Sequence, residues 1–106
     1  MRAGDLRHRV TIQQAVETQN EFGEVITIWQ DYKTVWAAIL PLTGREYFAS
    51  RQVNAEVSVQ IQMRYIPGIT PKMRVVEGSK VYEIEAVMDV EGKKKELQLL
   101  CKEVVE

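Results

Sequence analysis

Val35-Trp36-Ala37-Ala38-Ile39-Leu40-Pro41-Leu42-Thr43-Gly44-Arg45-Glu46 begins as a strand that is apolar on both sides and ends as the expected start of a helix. Side chains alternate faces along a strand, so Val35, Ala37 and Ile39 share one side and Trp36, Ala38 and Leu40 the other. Both faces are therefore expected to be covered, as in a small closed barrel. Pro41 has no amide hydrogen to give a sheet ladder. Thr43 followed three residues later by Glu46 forms a capping-box pattern, in which the hydroxyl accepts from the Glu46 amide and the carboxylate reaches back. The chain is expected to change structure type near Thr43, with one short helix from Gly44 to about Asn54.

Outward from this joint the pattern is that of strands. Arg9 to Gln13 alternates with Val10 and Ile12 inward. Glu17 to Glu24 is polar apart from Phe22, and Asn20 and Gly23 tolerate positive φ, so this stretch reads as a long hairpin loop. Val25 to Tyr32 resumes the strand pattern, with a short turn expected between Asp31 and Thr34. Val57, Val59, Ile61, Met63 and Tyr65 give the cleanest alternation and should share one face. Pro67-Gly68 suits the centre of a type II turn. Met73 to Val76, Lys80 to Val90 and Glu96 to Val104 read as three further strands, with Tyr82, Ile84, Ala86, Met88 and Val90 inward in the second. The expected fold is mainly β, a small antiparallel barrel of about six or seven strands with the short helix after the third.

At 106 residues the chain suits one domain, residues 1–106, since two cores would each be near the size that needs disulfides or metals. No stretch is long or apolar enough to span a bilayer or act as a signal peptide, which leads to the expectation of a cytosolic protein with no membrane partner. The net charge of −1 offers no bulk positive field for nucleic acid. Cys101 is the only cysteine, which excludes an intrachain disulfide, and its place beside Leu97 and Leu99 in the alternation makes it a small core residue.

Catalytic chemistry has no foothold. His8, the only histidine, lies between Arg7 and Arg9 with no co-ligand or nucleophile nearby in sequence and reads as a surface residue. Glu83, Glu85 and Asp89 are explained by the polar side of a strand, and Lys93-Lys94-Lys95 by a solvated turn. No phosphate-cradling glycine loop or nucleophile elbow occurs. No catalytic, cofactor or metal residue is assigned. A single-strand nucleic-acid binder of OB type would need exposed aromatics among basic residues. Arg64, Arg74 and Lys80 are scattered, with Tyr65 and Tyr82 on apolar faces, so this stays an alternative beside an assembly subunit.

The order of motifs carries a resemblance. Gly4 to Gln13, then Asn20 to Glu24, Trp36-Ala37, and Pro41-Leu42-Thr43-Gly44-Arg45-Glu46 are similar to the start of the phage head-tail joining family. Arg64-Tyr65 with Ile69, Met73-Arg74-Val75, Gly78, Tyr82-Glu83-Ile84 and Cys101-Lys102-Glu103 resemble its later landmarks. Members are head-completion, or stopper, proteins of long-tailed phages and prophages and are not enzymes. The resemblance implies a β-barrel whose copies form a ring beneath the portal and adaptor, closing the DNA channel and offering a docking surface to the tail. A tail-side completion protein is the near alternative. Implied partners are copies of the chain, portal or adaptor proteins, tail proteins, and passing double-stranded DNA without sequence specificity. The implied location is the host cytoplasm during assembly and then the head-tail interface. The resemblance places Gly44, Arg45, Glu46, Tyr47, Phe48, Arg51, Gln52, Val53 and Asn54 as a channel-facing gate segment. Asn20, Glu21, Phe22, Gly23 and Glu24 are the expected partner-contact loop, with Asn20-Glu21 where relatives often carry an aspartate before the glycine.

Overall fold

The computed structural model describes residues 6–42 and 57–104. Within them, β1 (His8–Gln19), β2 (Val25–Pro41), β3 (Val59–Arg64), β4 (Arg74–Glu77), β5 (Lys80–Asp89) and β6 (Glu96–Val104) form an antiparallel barrel. The order around it is β1-β2-β3-β6-β5-β4. It closes through a short seam, Thr11–Gln13 of β1 against Arg74–Val76 of β4. The expected short helix over 44–54 lies outside the described residues; among those described, the helical element is a single 3-10 turn at Val90–Gly92.

The barrel interior is filled from every strand, with Ile12, Ile61, Met63, Ile84, Leu99 and Cys101 essentially without exposure. Ile69 and Met73, on the connection from β3 to β4, pack against this core. As the alternation requires, Leu97, Leu99 and Cys101 share the inner face, and Val59, Ile61 and Met63 of β3 do the same, with Tyr65 just beyond the strand packed on the same core. Val57 departs from its set. It precedes β3 and joins Leu42 and Leu100 in a second, smaller cluster against which Ala86 packs.

Two irregularities overturn expectations drawn from strict alternation. The turn expected near Asp31–Thr34 is absent, because β2 runs unbroken for 17 residues. Between the pairs Ile12–Lys33 and Gln13–Asp31 the register slips by one, leaving Tyr32 as the extra residue of a bulge. A second slip at Glu85 reverses the faces of β5. Tyr82 and Ile84 point inward as expected, but beyond Glu85 it is Val87 that meets the core. Ala86 instead joins the outer cluster, and Met88 lies 40% exposed. The two-sided cover expected of the Trp36 strand also fails in part. Ala38 is buried, whereas Trp36 and Leu40 are 51% and 42% exposed.

Gly68, at φ +85, occupies the left-handed position of the turn. A Cβ there would stand 2.6 Å from the Tyr32 hydroxyl, which donates to the Pro67 carbonyl at 2.8 Å. Gly68→Ala combines left-handed strain with displacement of that hydrogen bond, an expected loss of about 1–2 kcal/mol. Urea unfolding should show the loss shrinking in a Tyr32→Phe background, where the hydroxyl is gone.

Cys101 is a free, fully buried thiol, and burial, with Glu85 adding to it, pushes it from its ordinary 9.0 up to about 12. Below pH 9 the thiol keeps its proton in folded and unfolded chains alike, so it adds no pH dependence. Between pH 9 and 12 the unfolded chain ionises first, and stability should fall by up to ~1.4 kcal/mol per pH unit. Tyr82, raised chiefly by burial, acts in the same direction. Urea midpoints at pH 8 and pH 10 should differ less in Cys101→Ala than in the parent chain.

Candidate assembly surfaces

β1 and β2 are longer than the barrel needs. The barrel seam with β4 ends at Gln13 and the pairing with β3 begins at Ala37, yet β1 and β2 stay paired from Gln13–Asp31 to Gln19–Val25. Seven residues at ~3.3 Å each give an arm of roughly 23 Å, which explains the elongated 49 × 28 × 27 Å outline. The polar run Glu17–Gln19, expected as loop, is therefore strand, and the loop shrinks to the tip. Polarity misled because an arm in solvent has no inner face to demand apolar residues.

The expected contact loop Asn20–Glu24 forms this tip. The Gly23 amide donates to the Asn20 carbonyl and the Asn20 amide to the Glu24 carbonyl, each at 3.0 Å. Gly23 takes φ +80, giving a three-residue hairpin loop with a left-handed glycine. The Asn20 side-chain oxygen accepts from the amides of Phe22 at 2.9 Å and Glu24 at 3.0 Å. A short polar side chain thus ties the turn, and Phe22 is held 79% exposed at its crest. Val25, Ile26, Ile28 and Trp29 on the arm are also exposed apolar residues.

The arm is braced at its root. Arg74 of β4 lies over the Trp29 ring, 4.1 Å from its centroid, and its Nε donates to Gln13 Oε1 at 2.8 Å. Gln13 in turn donates to Asp31 at 2.9 Å. Arg74→Ala removes the ring contact and a charge-assisted hydrogen bond, together about 1–2 kcal/mol of local stability. Hydrogen exchange at Val25–Gln30 should accelerate about tenfold while β3 and β6 amides keep their protection.

A second surface lies outside the barrel on β1, β2 and β3. Val10, Ala37 and Met63 point inward, so Arg9, Trp36 and Arg64 beside them point out. The Arg9 guanidinium sits 5.2 Å from the Trp36 ring centroid. With Leu6, Val35 and Ile66 these residues line an open groove of about 540 Å³. The sequence hides this group, because its members come from three strands and meet only once the register is known. One tryptophan beside two arginines gives a single stacking platform, whereas a single-strand track needs several in succession.

The expected gate residues Gly44, Arg45, Glu46, Tyr47, Phe48, Arg51, Gln52, Val53 and Asn54 lie outside the described residues. The flanks are described. The Leu42 amide donates to the Ser58 carbonyl, and the Ser58 amide to the Cys101 carbonyl, both at 3.1 Å. The described residues on either side of this stretch are therefore hydrogen-bonded neighbours.

His8 is more than a surface residue. Its Nδ1 lies 2.6 Å from Glu77 Oε2, linking β1 to the end of β4. Glu83 pairs with Lys102 at 3.3 Å, and Asp89 accepts from the Lys94 amide at 3.0 Å, so these carboxylates serve the strand and the turn. Lys94, at φ +55, takes the left-handed conformation within the exposed lysine triplet. Among the described residues no group of three or more histidine, cysteine or acidic side chains is placed to hold a metal.

The described residues thus present a two-stranded arm and an arginine-lined groove on a closed barrel. The family model for phage head completion proteins matches residues 1–104, and the chain belongs to that family. Among individual relatives, head completion protein gp16 of Bacillus phage SPP1 is 31% identical over 72 residues, covering 68% of this chain and 66% of that one. A Shigella flexneri 2a protein solved in solution superposes with a TM-score of 0.80 at 29% identity, over 100% of this chain and 99% of that one. A chain from the virion of a native gene transfer agent particle shares the fold, with a TM-score of 0.62 at 22% identity over 95% and 97% of the two chains. The chain thus belongs with the structural proteins of the phage head, a family that is non-enzymatic.

Proposed function

We propose that this protein is a ring-forming subunit at the head-tail junction, whose copies close the DNA channel of the filled head and offer the tail its docking surface. Membership of the head completion family, matched over residues 1–104, carries the reading. The fold supports it in a specific way. Because Leu42 and Ser58 are hydrogen-bonded neighbours, the segment between them can be directed to a ring axis without opening the barrel. Arg45 and Arg51 balance Glu46 and Glu56, so the segment neither grips phosphates strongly nor repels them. Copies brought together around the axis would then obstruct DNA by filling space, and release would require only that they part. Partners on this reading are copies of the chain, the portal or adaptor, the tail, and passing double-stranded DNA read without regard to sequence. The test is DNA retention in heads assembled with a chain that lacks residues 45–54.

A further inference from the structure

Phe22 projects from a turn that its own hydrogen bonds hold in place, with Glu21 and Glu24 on either side of it and Glu17 further down the arm. The tip is an apolar knob in an acidic setting. The groove on the barrel has the opposite character: Arg9 and Arg64 flank a half-exposed Trp36, and its described lining includes no carboxylate. About 540 Å³ leaves room for an aromatic ring. A chain cannot join its own two halves. Val25 and Trp36 lie on one unbroken strand, eleven residues apart, which at ~3.3 Å per residue separates them by roughly 36 Å.

We infer that the Phe22 tip of one copy docks in the Arg9–Trp36–Arg64 groove of the next copy, head to tail. This rests on the ring reading given above and supplies its subunit contact. Knob and groove are different patches present once on every chain, so the contact is heterologous and repeats from copy to copy, closing into a ring where the rotation allows. Burial of Phe22 supplies apolar area, and the surrounding charges set orientation and exclude a tip-to-tip pairing that would bring glutamates together.

The test uses Phe22→Cys and Leu6→Cys, separately and combined, in assembled heads under mild oxidation. Cys101 is buried and does not compete. The double variant should give a disulfide ladder of chain multiples, while each single variant stays monomeric on a non-reducing gel. Adding Glu21→Arg and Glu24→Arg to the double variant should cut the ladder about tenfold, and Arg9→Glu with Arg64→Glu should restore it. A lysine-reactive cross-linker on the same heads reports neighbouring copies independently. Multimers with that reagent but no disulfide ladder would overturn the docking and leave the ring standing, and multimers with neither would overturn both. A Phe22→Cys disulfide to another tip or to a different virion protein would also overturn the docking. Should the cysteine variants lose their fold by circular dichroism, the charge reversals alone decide: Glu21→Arg with Glu24→Arg must lower lysine cross-linked multimers, and an unchanged yield overturns the docking.

Discussion

Heads assembled with a chain whose residues 45–54 are replaced by a short glycine-serine linker should lose their DNA, while the isolated variant unfolds within a few degrees of the parent. The second half follows from the flanks. Leu42 bonds to Ser58 and Ser58 to Cys101, so the ends stay pinned whatever joins them, and loop closure costs only ~0.6 kcal/mol per doubling of length. The barrel interior is filled by the strands and by Ile69 and Met73, all away from the replaced stretch in sequence. The first half follows if the segment is the obstruction, since a thin flexible linker fills little of a channel. Thermal unfolding and nuclease-protected DNA are the two measurements. A collapsed fold would show that the segment belongs to the core, and full DNA retention would remove it as the plug.

Leu99→Ala should be the most damaging single truncation. Leu99 is fully buried on β6, paired with Ile61 of β3 on one side and Val87 of β5 on the other. Removing its side chain loses the transfer energy and leaves a cavity, on the order of 2–5 kcal/mol. Small domains hold only about 5–15 kcal/mol in total, so this is a large share of the fold's stability. A drop of roughly 10–20 °C in the unfolding midpoint should result. Leu40→Ala, at a position 42% exposed on the same barrel, should cost less than about 1 kcal/mol. Equal losses at the two positions would contradict the placement of the core.

Where a strand has one inner and one outer face, its sequence told the truth. Val59, Ile61 and Met63 alternate with glutamines, and Leu97, Leu99 and Cys101 recur at every second position beside Leu100 of the second cluster; both sets reach the core as the pattern requires. At the bulges the same reasoning failed for a physical reason. A slipped register at Tyr32 and Glu85 exchanges inside for outside, while the apolar residues beyond it, Ala86 and Met88, continue the old rhythm in the sequence. The tip was legible because Asn20 and Gly23 carry their own turn chemistry three residues apart. The groove was not, since Arg9, Trp36 and Arg64 are distant in sequence and meet only through strand pairing.

Among the described residues the arm has two unpaired strand margins, on β1 past Gln13 and on β2 before Ala37, bearing Val25, Ile26 and Ile28. Until another surface covers them, such margins are templates on which chains could stack into fibrils. Glu17, Glu21 and Glu24 put like charges along the same arm, so parallel stacking would set carboxylate against carboxylate. The acidic residues thus act as gatekeepers against aggregation, and the arm can keep its apolar side chains uncovered until a structural partner meets them.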